Sequence, residues 1–401
     1  MQLSPRITAL EESIRKISEA AAKISGCVRF DIGQPDFKTP QHIQDAAIRA
    51  IREKPMGYAP MVGIPELRRA IADYENKKGL NLAPENIMVT NGGNGSLFCT
   101  FLAIIEKDDE VLIADPAWPP YEMIVRSVGG VPVYTKFFEG GESSKASSGA
   151  TAKRDDFDGK KLLADSIESA ITSKSKAIIV NSPENPTGRV ASESDLKTIA
   201  EIAIEHGIMI ISDEVYDKLL FGGAKHYSIA KFAPENTILI NSTSKTYSMT
   251  GWRLGWLAAP KDIIKELAKC NRVTTASVSA VVQYAALAAL TESQECVQDM
   301  CHEYEKRCDT TVKRMKQLNW DFINPEGAFY AFPKIPGCID SWKLAMELLE
   351  KAKVALVPGV SFGPSGEGHV RICYGSVNSE CINEGFDRIE KYMNIVNKCK
   401  Y

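Results

Sequence analysis

Residues 208–216 read IMIISDEVY, an apolar run followed at once by two carboxylates and a phenol. A short run of that composition reads as a strand buried on both faces. Four more runs share its form: residues 86–90 (NIMVT), 111–114 (VLIA), 177–181 (AIIVN) and 237–241 (TILIN). Helix-like stretches such as residues 97–106 and 194–206 lie between them. Strands alternating with helices predict an α/β fold on a mostly parallel, doubly wound sheet. Ligands in such sheets sit beyond the carboxyl ends of the strands, so the residues after each run are where chemistry is expected.

Beyond Leu290 the chain is helix-rich to about Leu318, and residues 327–332 (GAFYAF) and 369–374 (HVRICY) are strand-like. This pattern predicts a smaller α+β domain. The expected division is an N-terminal arm contributing to the small domain (1–40), a large domain (41–285) and the small C-terminal domain (286–401). A length of 401 residues accommodates it, at roughly 150 residues per domain. Residues 139–154 (EGGESSKASSGATAKR) are nearly all Gly, Ser, Ala and charge, which predicts an exposed, mobile loop.

Hydrophobic residues are 44% and charged residues 25% of the chain, with 48 Lys plus Arg against 51 Asp plus Glu, a net charge of −3. No field exists to gather nucleic acid or an anionic membrane, so any bound anion must be held by local geometry. The N-terminus has no uninterrupted apolar segment, which predicts no secretory leader. The longest apolar stretch, residues 278–290, is interrupted by Ser279, Gln283 and Tyr284, and falls short of the roughly 18 residues a membrane span requires. A cytoplasmic protein is expected. Ten cysteines are scattered without a CxxC, the pattern of reduced, packed thiols. Cys296, Cys301, His302 and Cys308 come nearest to a metal set, but their spacing fits no common zinc site, so a packing role and no metal are expected.

After Thr90 comes Asn91-Gly92-Gly93-Asn94-Gly95-Ser96, opening a helix at Leu97. Glycines and a helix N-terminus together can cradle a phosphate, and a plain tight turn explains the same residues. After Ile113, three prolines stiffen a loop that carries Trp118, which can stack on a flat ligand or simply pack. After Val180, the turn Asn181-Ser182-Pro183-Glu184-Asn185-Pro186-Thr187-Gly188 presents the Asn185 amide. Asp213 ends the opening run with Tyr216 three residues on, and so buried a carboxylate needs a cationic or protonated partner. After Ile240 come Ser242, Ser244 and Lys245, then Thr250-Gly251-Trp252-Arg253. A lysine beside buried sheet residues can form an imine, and Arg253 can hold a phosphate in a fork. A surface lysine and a structural arginine account for each taken singly. Together these groups describe a site for pyridoxal 5′-phosphate (PLP).

The chain resembles the class I aminotransferases of the fold-type I PLP enzymes, most closely the aspartate aminotransferase branch. The resemblance rests on SPxNPTG at residues 182–188, SDExY at 212–216 and SxSK-x(4)-TGWRxG at 242–255, with IGQPDF at 32–37 and His369-Val370-Arg371 at the other end. It implies that Lys245 bonds the cofactor and then moves the substrate Cα proton, while Asp213 pairs with the ring nitrogen. It implies that Tyr216 and Asn185 bind the ring oxygen and that Trp118 stacks on the ring. Gly92, Gly93, Asn94, Ser242, Ser244 and Arg253 are then the phosphate site. Arg371 clamps the substrate α-carboxylate, with Gly33, Trp118 and Asn185 beside it. Tyr58 is expected to reach the phosphate of a neighbouring subunit, making a homodimer with shared sites. The implied reaction is ping-pong transamination of an amino acid with a 2-oxo acid. Asn94 stands where aspartate-specific relatives carry a Lys, which leaves aspartate, aromatic or broad specificity open. A PLP-dependent Cβ lyase of a sulfur amino acid is the alternative reaction. A non-catalytic PLP-binding sensor is a remote one, because neither a spare domain nor a basic surplus is present for DNA.

Overall fold

The computed structural model describes residues 3–10, 13–137 and 157–398. The 139–154 segment lies outside them. Seven strands form the central sheet: β2 (Ile87–Thr90), β3 (Glu110–Ala114), β4 (Val131–Thr135), β5 (Ser175–Asn181), β6 (Met209–Asp213), β7 (Thr237–Ser242) and β8 (Gly255–Ala258). Their order is β2-β8-β7-β6-β5-β3-β4. Only β8 runs antiparallel to its neighbours. The sheet has the fold-type I α/β form, and all five apolar runs are strands in it. Strands β4 and β8 lay outside those runs: β4 carries Pro132 and is only half-buried, and β8 is four residues long.

Alternation explains why the inner strands read as unbroken apolar runs. Leu112, Ile178, Val180 and Ile210 pack with Leu196 and Ile199 of the helix Glu193–Glu205 on one face. Val111, Ile113, Ile179, Ile211 and Ile240 pack on the other, with Leu97 and Phe101 of the helix Gly92–Ile104 and Leu267 of the helix Lys261–Thr274. Both faces are covered, so neither side of a strand needs polar residues. The helix after β2 begins at Gly92 rather than at Leu97, because glycines with free N–H groups form its first turn.

A second body holds an antiparallel sheet of order β11-β12-β9, made of β9 (Tyr330–Ala331), β11 (Val357–Pro358) and β12 (Val370–Cys373). Beside it β1 (Val28–Arg29) pairs in parallel with β10 (Val354–Ala355). N-terminal Ile17, Val28 and Phe30 share one core with Tyr304, Met315, Ile372, Phe386 and Ile389. The 327–332 run yields only a two-residue strand, because Ala328 adopts a left-handed φ of 58° and donates its N–H to Leu219 O at 2.9 Å.

The two bodies meet beside the loop after β3. Ser365 donates its N–H to Asp115 Oδ1 at 3.0 Å and its hydroxyl to Oδ2 at 2.8 Å. Ala117 N donates to Phe362 O at 2.8 Å. Among the described residues no helix is long and apolar enough to cross a membrane, and no cluster can hold a metal ion. Cys308 is buried in the core, and the Cys301 thiol donates to Leu220 O at 3.4 Å. Asp115→Ala removes a charge-assisted clamp between the bodies, so it should lower the unfolding free energy by about 1–3 kcal/mol. Denaturant titration checks this, and an unchanged midpoint would remove the clamp's role.

Candidate active site

The sheet edge formed by the carboxyl ends of β2, β3, β5, β6 and β7 opens into a cavity of about 490 Å³. Antiparallel β8 brings its amino end to the same edge, which is how Arg253 joins the group. Gly33, Gly93, Asn94, Trp118, Asn185, Asp213, Tyr216, Ser242, Ser244, Lys245, Arg253 and Arg371 all line the cavity. Gly92 lies behind Arg253. Tyr58 is 95% exposed and is not part of the wall.

Backbone approach shapes the wall around Arg253. Gly92 has a left-handed φ of +73°, and a Cβ there would sit 2.6 Å from Arg253 Nη2. A Cβ on Gly255 would sit 2.6 Å from Gly92 C and 2.7 Å from Gly93 N. Glycine at both positions lets the first turn of the helix Gly92–Ile104 and the guanidinium share one concavity. The Ser242 hydroxyl, at the end of β7, accepts from Ser244 N at 3.3 Å.

Lys245 Nζ donates to Gly33 O at 2.8 Å. Burial, with the Arg371 and Arg253 guanidiniums adding to it, holds its pKa down to about 8, against Cys373 and Asp213, which favour the cation. Burial pushes the Asp213 carboxyl up to about 6, although Tyr121 OH donates to Oδ2 at 2.6 Å and Val215 N to Oδ1 at 3.4 Å. The Tyr216 hydroxyl lies 2.9 Å from that of Tyr330, and burial raises its pKa well above the ordinary phenol value.

The Asn181 side chain ties the site together: Oδ1 accepts from Asn185 N at 2.9 Å, and Nδ2 donates to Asp213 O at 2.9 Å. Arg371, on β12, donates to Asn185 Oδ1 at 3.3 Å and to Asp31 O at 2.8 Å. Its guanidinium lies over the Tyr330 ring at 4.7 Å and the Phe362 ring at 5.1 Å, while buried Nε makes no hydrogen bond. At the mouth, Arg29 grips Asp31 through two bonds of 2.7 and 2.8 Å, and Ser18 Oγ donates to the same carboxylate at 2.6 Å.

Sequence reasoning missed Tyr121, Asn181, Tyr330 and the Arg29–Asp31 pair. Asn181 and Tyr330 stood inside quoted segments, but nothing local to them indicates their partners. Trp118 meets Tyr121 edge-on, with centroids 5.2 Å apart.

A seven-stranded, mostly parallel sheet with a lysine just beyond one of its central strands and an aspartate ending the next defines a fold-type I enzyme. The chain belongs to the class I and II aminotransferases, whose family model matches residues 25–389. It is 36% identical to an aspartate aminotransferase of Geobacillus stearothermophilus, over 98% of this chain and 99% of that one. It is 37% identical to the aromatic-amino-acid aminotransferase 2 of Thermococcus litoralis, over 98% of each. The solved aspartate aminotransferase from Thermus thermophilus with maleate superposes with a TM-score of 0.86 at 34% identity, covering 98% of this chain and 99% of that one. These relatives favour transamination over Cβ elimination, and the cofactor of class I aminotransferases is PLP.

Gly255→Ala should push the Gly92–Gly93 backbone out of the anion site. PLP affinity, read by absorbance titration of the apo protein, should fall by at least about tenfold, as expected when a positioned group moves by an ångström. Unchanged affinity would place the anion elsewhere.

Proposed function

We propose that this protein is a PLP-dependent transaminase that moves an amino group from an amino acid to a 2-oxo acid at the cavity around Lys245. The observation that carries the reading is a half-buried lysine amine, its pKa lowered to about 8, in one cavity with the Asp213 carboxylate and the Arg371 guanidinium. The residues fit the cofactor chemically: an amine for its aldehyde, a carboxylate for its ring nitrogen and a glycine-lined concavity for its phosphate. When bound, PLP supplies an electron sink for the pair left on the substrate Cα.

In this reading Lys245 Nζ takes the proton from the substrate Cα and returns it one step later, a task suited to an amine with a pKa near 8. Asp213 holds a cation at the ring nitrogen. Tyr216 and Asn185 orient the ring oxygen, Trp118 covers the ring, and the backbone of Gly92, Gly93 and Asn94 with Ser242, Ser244 and Arg253 holds the phosphate. Arg371 receives the substrate α-carboxylate, and its unpartnered Nε supports this assignment. The side-chain end of the substrate meets the neutral Asn94, with Arg29 already bonded to Asp31. We therefore infer acceptance of neutral and aromatic amino acids rather than strict dicarboxylate specificity.

We further infer a homodimer with shared sites. Tyr58 is exposed beside the apolar Met56 and Met61, a surface suited to a second copy whose site Tyr58 then completes. The inferred location is the cytoplasm, supported by nine free thiols among the described residues. Assignment of the arm 1–40 to the small body is supported by the packing of Val28 and Phe30 with C-terminal residues. A boundary at 285 falls inside the helix Ala280–Thr291, whose Ala286, Ala289 and Leu290 pack in the large body's core, so we infer that the second boundary follows that helix.

Lys245→Ala should cut turnover by roughly a thousandfold or more, as loss of a general base requires, and abolish the cofactor's bonded absorbance band. Retained activity would overturn the assignment. Arg371→Ala should raise KM by about 10- to 100-fold, the worth of one charge-assisted pair, with PLP affinity unchanged. Only neutral Lys245 attacks an aldehyde, so capture of PLP by the apo protein should quicken as pH rises through about 8 and then level off. Affinity should fall as pH drops below about 6, where Asp213 gains its proton and loses its hold on a cation. Stopped-flow absorbance reads both, and a plateau delayed to pH 10.5 would mean the amine is unperturbed. Single-turnover spectra with aspartate and phenylalanine test specificity, and a response to aspartate alone would reject the neutral-substrate inference.

A further inference from the structure

Behind the edge that carries Asp213, Tyr216 and Ser242 lies a group of charges the proposed reaction leaves unused. Lys78, just beyond the helix Pro65–Asn76, places its ammonium 2.7 Å from Glu75 Oε2, 2.8 Å from Asp217 Oδ2 and 3.0 Å from Glu214 Oε2. None of these four side chains is more than 6% exposed. The remaining carboxylate positions are also met. Trp256 Nε1 donates to Glu75 Oε1 at 2.8 Å and Tyr74 OH to Asp217 Oδ1 at 3.0 Å. The Ser228 and Ser212 hydroxyls donate to Glu214 Oε1 at 2.6 and 2.9 Å, and His226 Nε2 lies 2.8 Å from Glu214 Oε2. Asn241 Nδ2 reaches Glu75 and Asp217 at 3.3 and 3.2 Å, while its Oδ1 accepts from Ser242 N at 2.8 Å.

Stability alone does not account for such a cluster, because well-packed apolar side chains of equal volume serve a core as well or better. Its place in the chain suggests another use. Asp213 lines the cavity, and its neighbours Ser212 and Glu214 belong to the cluster. Tyr216 lines the cavity and Asp217 binds Lys78; Ser242 lines the cavity and Asn241 binds the carboxylates. At the strand ends Ser212–Asp213 and Asn241–Ser242, neighbouring residues point to opposite faces, and Tyr216 and Asp217 are adjacent in the turn that follows, so a lock on one side constrains the other. Asp217 N also donates to Glu214 O at 3.0 Å, and Glu214 N to Ile240 O at 2.9 Å, joining the two strand ends.

We propose that Lys78 is a positioning residue for the reaction: by gathering Glu75, Glu214 and Asp217 behind the sheet, it holds their chain neighbours Asp213, Tyr216 and Ser242 in place at the cavity wall. This rests on the reading of the cavity as the PLP site. Arg371 stands on another strand and is braced by Asn185 and Asp31, so the carboxylate clamp is independent of Lys78.

The test is PLP titration of apo protein, with the circular-dichroism band of bound cofactor as a second readout. Lys78→Met should weaken PLP binding by at least about tenfold and shrink the dichroic band, as a displaced constellation does. KM for the amino donor at saturating PLP should stay within about twofold. Asp217→Asn, which keeps the shape and an acceptor for Tyr74, should give a milder loss of about three- to fivefold, and it carries the same test if Lys78→Met does not fold. A folded variant of either kind with wild-type PLP affinity and an unchanged dichroic band overturns the proposal, however far its melting temperature falls. Wild-type protein that binds no PLP would sink the functional reading instead, so the two failures are distinct.

Discussion

The register of β5, β6 and β7 is the constraint on which the rest depends. Asn181 stands opposite Asp213, Asp213 opposite Ile240, and Ser242 opposite Gly255. Side chains along a strand alternate, so a slip of one residue would turn Asp213 into the layer now occupied by Glu214 and Asn241. The apolar runs hold the strands between two cores, with Ile210 and Ile211, like Ile178 and Ile179, each filling a different one. The polar ends oppose the slip, because it would exchange Ser212, bonded to Glu214, with Asp213, bonded to Tyr121. Burial and these partners together set the positions of the ionisable groups at the edge.

Burial then sets their charge. Moving Lys245 from an ordinary pKa of 10.5 to about 8 is worth about 3 kcal/mol against the charged form. Asp213 is displaced the opposite way, also against its charged form. The cavity therefore holds two groups whose charged forms burial disfavours, and a ligand that is cationic at one end and electrophilic at the other suits both. Arg371 carries the complementary demand, with a buried donor and no acceptor. This ties cofactor affinity to the same desolvation that tunes the amine.

Much of this was legible in the sequence. The five apolar runs are readable because strands buried on both faces need no polar interruption, and Lys245, Asp213, Asn185 and Arg253 are readable because each follows or precedes such a strand. What stayed hidden depends on approach between distant parts of the chain. Tyr121 meets Asp213 across 92 residues and Tyr216 meets Tyr330 across 114. Lys78 reaches Glu214 across 136, and no local pattern marks it as other than a solvated lysine after a helix. The start of the Gly92–Ile104 helix was hidden differently. Glycine disfavours helix, so a glycine run reads as a loop until the approach of Arg253 and Gly255 to Gly92 and Gly93 shows why no side chain fits there.

The geometry also separates chemistry from selectivity. Groups assigned to proton transfer and cofactor binding sit on the large sheet's edge, braced by Asn181 on one side and Lys78 on the other. The rest of the cavity wall comes from elsewhere: Arg371, the proposed carboxylate clamp, from β12, Gly33 and the Arg29–Asp31 pair from the N-terminal segment, and Ile14 and Ser18 from the helix Ser13–Ala22. The two sets touch at few points, chiefly Asn185 to Arg371 and Lys245 to Gly33. A change in Arg29 or Asp31 can therefore alter which side chain is accepted without moving Lys245 or Asp213. The pairing of Arg29 with Asp31 gives that separation a direction. Three hydrogen bonds already occupy the Asp31 carboxylate, so a second substrate carboxylate would have to displace an internal ion pair, whereas an apolar side chain meets no such competitor.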